Sequence, residues 1–141
     1  MKKTVSFLAL ILFSKAVFAV TIQPFSLPQM NAEEQGTNYN SADHASTVFV
    51  LENYFLNCPY CNDNAPNVDA LAELFADNER VQVLDVGIDK SDSQYATWIE
   101  RHNPNHPVLK DDKKKLTSQL GTTGYPTTYV IDCNGNVAMK T

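Results

Sequence analysis

Two cysteines separated by two residues, Cys58-Pro59-Tyr60-Cys61, stand between a short apolar run and a stretch with helical spacing, and that position limits the folds open to this chain. Upstream, Thr47-Val48-Phe49-Val50-Leu51 is β-branched and apolar without alternation, the pattern of a strand buried on both faces. Downstream, Val68, Leu71, Leu74 and Phe75 predict a helix from about Pro59 to Asp77. Pro59 then falls in the first turn, where no backbone donor is needed. A disulfide between cysteines this close in sequence closes too short a loop to stabilise a fold, so the pair is read as chemical. Backbone N–H groups at a helix N-terminus stabilise an anion, so Cys58 is expected to have a depressed thiol pKa and to be the nucleophile that attacks a disulfide. Cys61, one turn on, is expected to be more buried and to resolve the mixed disulfide. A zinc site is the bland alternative, but it needs about four ligands. Only His44, His102 and His106 are left to supply them, none in ligand spacing with another cysteine.

The first nineteen residues read differently from the rest. Lys2 and Lys3 precede the apolar run Val5–Phe13, and Val17-Phe18-Ala19 supplies small residues at a cleavage position, the pattern of a secretory signal peptide. An uncleaved anchor is the alternative, but a span needs about 20 apolar residues and Lys15 interrupts this run first. Cleavage after Ala19 leaves eight of the eleven basic residues against sixteen acids, a net charge of −8. An acidic chain of this kind is not expected to attract nucleic acid or anionic membrane, and no later stretch is long and apolar enough to span a bilayer. With 141 residues there is enough chain for one domain with a core and too little for two. Export to an oxidising compartment makes paired cysteines the expectation, yet Cys133 is left over.

Residues 20–46 are rich in Pro, Gln, Asn and Ser and read as an N-terminal extension with one edge strand. Val81–Ile88 predicts a second buried strand, Ser91 and Gln94 a capping box, and Tyr95, Trp98 and Ile99 the buried face of a helix ended by Pro104. His102 continues that face as a packed or rim histidine. The lysine-rich Lys110–Lys115 leads into a short helix carrying Leu116 and Leu120 and closed by Gly121. Thr127–Asp132 and Val137–Met139 flank Asn134-Gly135, a pair suited to a two-residue hairpin turn. The order is strand, helix, strand, helix, hairpin, so the fold class is α/β.

The Cys58–Cys61 motif, Pro66 five residues beyond it, and Gly124-Tyr125-Pro126-Thr127 together resemble the thioredoxin superfamily. Within it, Pro24–Leu27, Val81–Asp89, His106–Leu109 and Tyr125–Asp132 are similar to the TlpA/ResA-like periplasmic thioredoxins. The resemblance implies a thioredoxin fold over residues 47–141: a central mixed β-sheet flanked by helices, here without the usual C-terminal helix. It implies that Pro59 and Tyr60 belong to the active-site motif, that the Tyr125–Pro126 bond is cis, and that this segment docks an extended client. An ordinary trans turn proline is the alternative at Pro126. Glu52, six residues before Cys58, stands where relatives carry a buried acid, which implies that it takes the Cys61 proton. An exposed strand-end glutamate is the alternative there. Asn57 and Asn62 depart from the family pattern, which has tryptophan before the first cysteine and often a basic residue after the second.

The expectation is a periplasmic thiol–disulfide oxidoreductase exchanging disulfides with client proteins, acting as a reductant recharged by a membrane thiol transporter. It needs no metal and no organic cofactor, because the dithiol is the redox group. A DsbA-like oxidase, with a membrane oxidase as its partner, is the runner-up. A metal-delivery or client-binding module is the alternative of another class. A peroxiredoxin is disfavoured because Phe55 stands three residues before Cys58, where threonine or serine is needed. Cys133 lies far along its strand from Pro126 and is expected to be a free or partly buried thiol, with an intermolecular disulfide as the alternative.

Overall fold

The computed structural model describes residues 20–141. The expected signal peptide, residues 1–19, lies outside the described residues. Two short strands, β1 (Ser26–Pro28) and β2 (Asn38–Asn40), pair antiparallel with each other. The main sheet follows: β3 (Val48–Tyr54), helix α1 (Pro59–Leu74), β4 (Val81–Gly87), helix α2 (Asp92–His102), β5 (Val108–Lys110), helix α3 (Lys115–Leu120), β6 (Thr127–Ile131) and β7 (Val137–Lys140). Its order is β5-β4-β3-β6-β7, with β3, β4 and β5 parallel and β6 and β7 antiparallel. Parallel neighbours require crossovers, and α1 and α2 supply them.

β3 is central, and every residue after Val48 in it is buried. Side chains alternate across a strand, so one sequence feeds two cores. Phe49 and Leu51 point into a cluster with Leu84, Val86, Leu109, Tyr129, Ile131 and the α3 residues Leu116 and Leu120. Val50 meets Val68 and Val83, while Tyr54 packs with Cys61, Ala65, Tyr95 and Trp98 under α1 and α2. The Tyr54 and Trp98 rings lie 4.0 Å apart. Gly87 makes that packing fit, because a Cβ there would stand 2.6 Å from the Tyr95 ring and 2.9 Å from Tyr54.

The segment read as an extension does more than add an edge. Ile22, Phe25, Leu27 and Tyr39 enter the first cluster, and Phe25 packs edge-on to Phe49 at 5.8 Å. Single bridges tie Thr21 to Asn136 and Gln29 to Leu109. Strand β5, three residues long, had no periodicity to announce it. Helix α1 stops at Leu74, short of Asp77, in a turn where Asn78 N–H donates to Phe75. In α2 the Ser91 N–H donates to Gln94 Oε1 at 3.1 Å, as the capping box predicts.

The two-residue hairpin is corrected. Five residues separate β6 from β7, because Asp132 organises the loop: its Oδ1 accepts from Asn134 N–H and Asn136 N–H, both at 2.9 Å. Gly135 is still required there, at φ 83°, where a Cβ would meet the Ile22 carbonyl at 2.7 Å.

Candidate active site

Strand β3 ends at Tyr54, and the chain turns through Phe55-Leu56-Asn57 to reach α1. Three contacts hold that turn. Leu56 N–H donates to the buried Asp89 carboxylate at 2.8 Å, and Asn62 Nδ2 donates to the carbonyls of Leu56 and Cys58, both at 2.8 Å. The result is that Cys58 becomes the N-cap of α1 with Pro59 as first helical residue. Cys58 and Cys61 form a disulfide with Cα atoms 5.2 Å apart, and Cys61 N–H donates to Cys58 Sγ at 3.1 Å. A sulfur that accepts a helix N-terminal N–H is placed to hold negative charge once reduced. Both cysteines are largely covered, Cys58 at 3% and Cys61 at 0% exposure, whereas Tyr60 projects at 74%.

Antiparallel pairing of β6 with β3 sets Thr127 opposite Asn53, at the same end of the sheet as the disulfide. The Tyr125–Pro126 bond just before it is cis. The Tyr125 ring meets Phe55 edge-on at 5.5 Å. An open groove between the first turns of α1 and the start of β6 is lined by Tyr60, Asn64, Asn67, Pro126 and Thr128. The register of the sheet therefore brings Cys58, Cys61, Tyr60, Tyr125 and Pro126 to one place.

Glu52 is buried, at 1% exposure, on the α1 side of the sheet. Its Oε2 accepts from Asn64 Nδ2 at 2.5 Å and from Thr128 Oγ1 at 3.3 Å, and Asn64 lies three residues beyond Cys61 on α1. Burial and then the Asp85 charge push its carboxyl up to about 7, against the hydrogen bonds from Asn64 and Thr128 and the charge of His106. A carboxyl poised near neutrality suits proton exchange.

Charged and titratable groups from β4, α2 and the turn before β5 complete the surroundings. Asp85, paired in register with Glu52, accepts at Oδ2 from Trp98 Nε1 at 3.1 Å. His106 Nε2 stands 3.3 Å from the same oxygen, and His106 Nδ1 stands 3.2 Å from Asp69 Oδ1. Burial pulls the His106 pKa down, but the neighbouring charges of Asp85, Asp69 and Glu52 outweigh it and leave it raised. Arg101 and His102 of α2 both reach Asn62 Oδ1, at 2.7 and 2.9 Å, so α2 brings a guanidinium beside the residue after Cys61. Cys133 is exposed and unpaired in the β6–β7 loop, at the opposite end of β6 from Pro126.

The chain is 27% identical over 113 residues to "Thioredoxin-like protein YneN" of Bacillus subtilis, a match covering 79% of this chain and 63% of that relative's length. Two solved structures from Mycobacterium tuberculosis share its fold. One is a secreted disulfide oxidoreductase homologous to E. coli DsbE (TM-score 0.68, 18% identity, 83% of this chain and 81% of that one). The other is the peroxidoxin BcpB (TM-score 0.70, 25% identity, 87% and 83%). These likenesses identify the sheet and helices as a thioredoxin fold. The AhpC/TSA family model matches residues 20–140, and the chain belongs to that family.

Proposed function

We propose that this protein is an exported thiol–disulfide oxidoreductase that reduces client-protein disulfides through Cys58 and Cys61. The carrying observation is the disulfide at the N-terminus of α1, with Cys61 N–H on Cys58 Sγ, at the same end of the sheet as the Tyr125–Pro126 segment. In the reduced protein the Cys58 thiolate attacks a client disulfide, forms a mixed disulfide and releases one client thiolate. The Cys61 thiol gives its proton to Glu52 and attacks Cys58 Sγ, which breaks the mixed disulfide and releases the second client thiolate. Two electrons have then passed from the dithiol to the client. The groove along Tyr60, Asn64 and Pro126 receives the client as an extended segment.

Export rests on the basic–apolar–small pattern of residues 1–19 and on the likeness to the secreted DsbE homologue. Among the described residues no helix is long and apolar enough to cross a membrane. Recharging by a membrane thiol transporter follows from the reductant reading.

Insulin disulfide reduction by the purified protein tests this. The wild type is expected to turn over, Cys58→Ser to be inactive, and Cys61→Ser to accumulate a mixed disulfide. Absence of turnover with stoichiometric copper binding would instead establish a metal-delivery module. The family and the peroxidoxin likeness bring a peroxidase reading as well. It lacks the hydroxyl three residues before Cys58, where Phe55 packs on Tyr125, and turnover of hydrogen peroxide faster than of insulin would establish it.

A further inference from the structure

Resting on the exchange reaction above, the inference concerns where the Cys61 proton goes after Glu52. Glu52 and Asp85 are Cα partners on parallel β3 and β4, so both side chains face α1 from strands about 4.8 Å apart. Each keeps one buried oxygen, Glu52 Oε1 and Asp85 Oδ1, that finds no hydrogen-bond partner among the described residues. An unpartnered buried oxygen is costly. A proton shared between the two carboxyls would give both atoms a partner. From Asp85 the path continues through charge contacts. Asp85 Oδ2 stands 3.3 Å from His106 Nε2, a third buried atom without a hydrogen-bond partner among the described residues. His106 Nδ1, which is hydrogen-bonded to Asn105 Oδ1 at 3.2 Å, stands 3.2 Å from Asp69 Oδ1. His106 is buried, whereas the Asp69 side chain is 26% exposed. Asp69 lies two residues after Asn67, roughly 200° around α1, so it opens on the opposite side from the groove. The buried links Glu52, Asp85 and His106 are drawn from β3, β4 and the turn before β5, and α1 supplies the exposed end.

We propose that Asp85, His106 and Asp69 form an exit path that carries the Cys61 proton from Glu52 to the surface, away from the client-docking groove. When Cys61 attacks Cys58 Sγ, the proton moves to Glu52 Oε1, is shared with Asp85 Oδ1, and passes by the His106 imidazole to Asp69 and solvent. The leaving client thiolate takes its proton separately from water. The path matters because a docked client covers the direct route. The other ionisable groups around it are Tyr54 from β3, which feels the Asp85 charge, and His102 from α2, which feels Asp85 and Asp69 with Arg101 beside it. Asp85, His106 and Asp69 act through Glu52 and are positioning residues, not groups that touch the sulfurs.

The test is stopped-flow reaction of reduced purified protein with glutathione disulfide from pH 5 to 9, separating mixed-disulfide formation at Cys58 from displacement of glutathione by Cys61. His106→Gln removes a charge that lowers the Glu52 pKa, and Asp85→Asn removes one that raises it. The inflection of the second step is therefore expected to move up in pH in the first variant and down in the second. A path requires that both variants slow the second step on its plateau above the inflection, by about tenfold or more, with added imidazole restoring part of the rate. Asp69→Asn, at the exposed end, slows it without risk to the core. If His106→Gln instead accelerates the second step, as a stronger base at Glu52 alone would, the path is overturned. It is also overturned if Asp69→Asn and His106→Gln both resolve at the wild-type rate. Failure of the wild type to form any mixed disulfide overturns the exchange reading itself, and the path with it.

Discussion

Glu52 and Asp85 stand side by side in register on parallel β3 and β4, two carboxyl groups buried on the same face beneath α1. Two such groups cannot both ionise without cost. Burial first, and then that pairing, raise Glu52 to about 7.

The first consequence is a pH dependence of stability. The Glu52 carboxyl is raised from 4.5 when folded, so the folded protein holds a proton that the unfolded chain releases. Its stabilising contribution is full below pH 4.5, falls as pH rises through about 7, and levels off above. The change is roughly 3 kcal/mol. Denaturant melts of oxidised protein at pH 4.5 and 8 are expected to show this loss, and Glu52→Gln to remove most of it. His106, also raised, adds a loss of the same sign above its ordinary 6.5.

Phe25→Ala tests whether residues 20–46 belong to the core. Phe25 is buried against Phe49 and Tyr39, so truncation is expected to cost about 3–5 kcal/mol, comparable to a core position of the main sheet. A change below about 0.5 kcal/mol, the level of a surface site, would show that the segment is peripheral.

Asp89→Ala is expected to loosen the active-site turn. It leaves the buried Leu56 N–H without its acceptor and removes the partner of Gln94 Nε2. The cost is about 1–3 kcal/mol, and amide exchange at Leu56 and Cys58 is expected to speed up while that of β4 does not. Uniform acceleration across the sheet would contradict a local role.

Gly87→Ala places a methyl 2.6 Å from the Tyr95 ring. Overpacking of this kind costs about 1–3 kcal/mol, and the near-ultraviolet signal of Tyr54 and Trp98 is expected to change with it.

Much of this architecture is legible along the chain. The Cys58–Cys61 spacing, the apolar run of β3, Pro59 in the first turn and the Ser91–Gln94 pair are local signals, each carried by a few neighbouring residues. What the linear pattern hides is what depends on register. Asp85 looks like one polar residue in a strand, and His106 like a lone histidine before a proline. They meet only because two crossovers bring β4 alongside β3 and then β5 alongside β4. The core role of Phe25 and Leu27 is hidden for a similar reason, since two apolar residues in a Pro- and Asn-rich stretch carry no period. The hairpin misleads because Asp132, outside the Asn134-Gly135 pair, captures the loop N–H groups first.

Equilibrating the protein with glutathione buffers and trapping free thiols, with Cys133→Ser to keep the third thiol out of the count, tests the central claim most directly. A Cys58–Cys61 potential near the thioredoxin value of about −270 mV is the predicted result for a reductant. A value near that of DsbA, about −120 mV, would make the protein an oxidase and contradict the proposed direction.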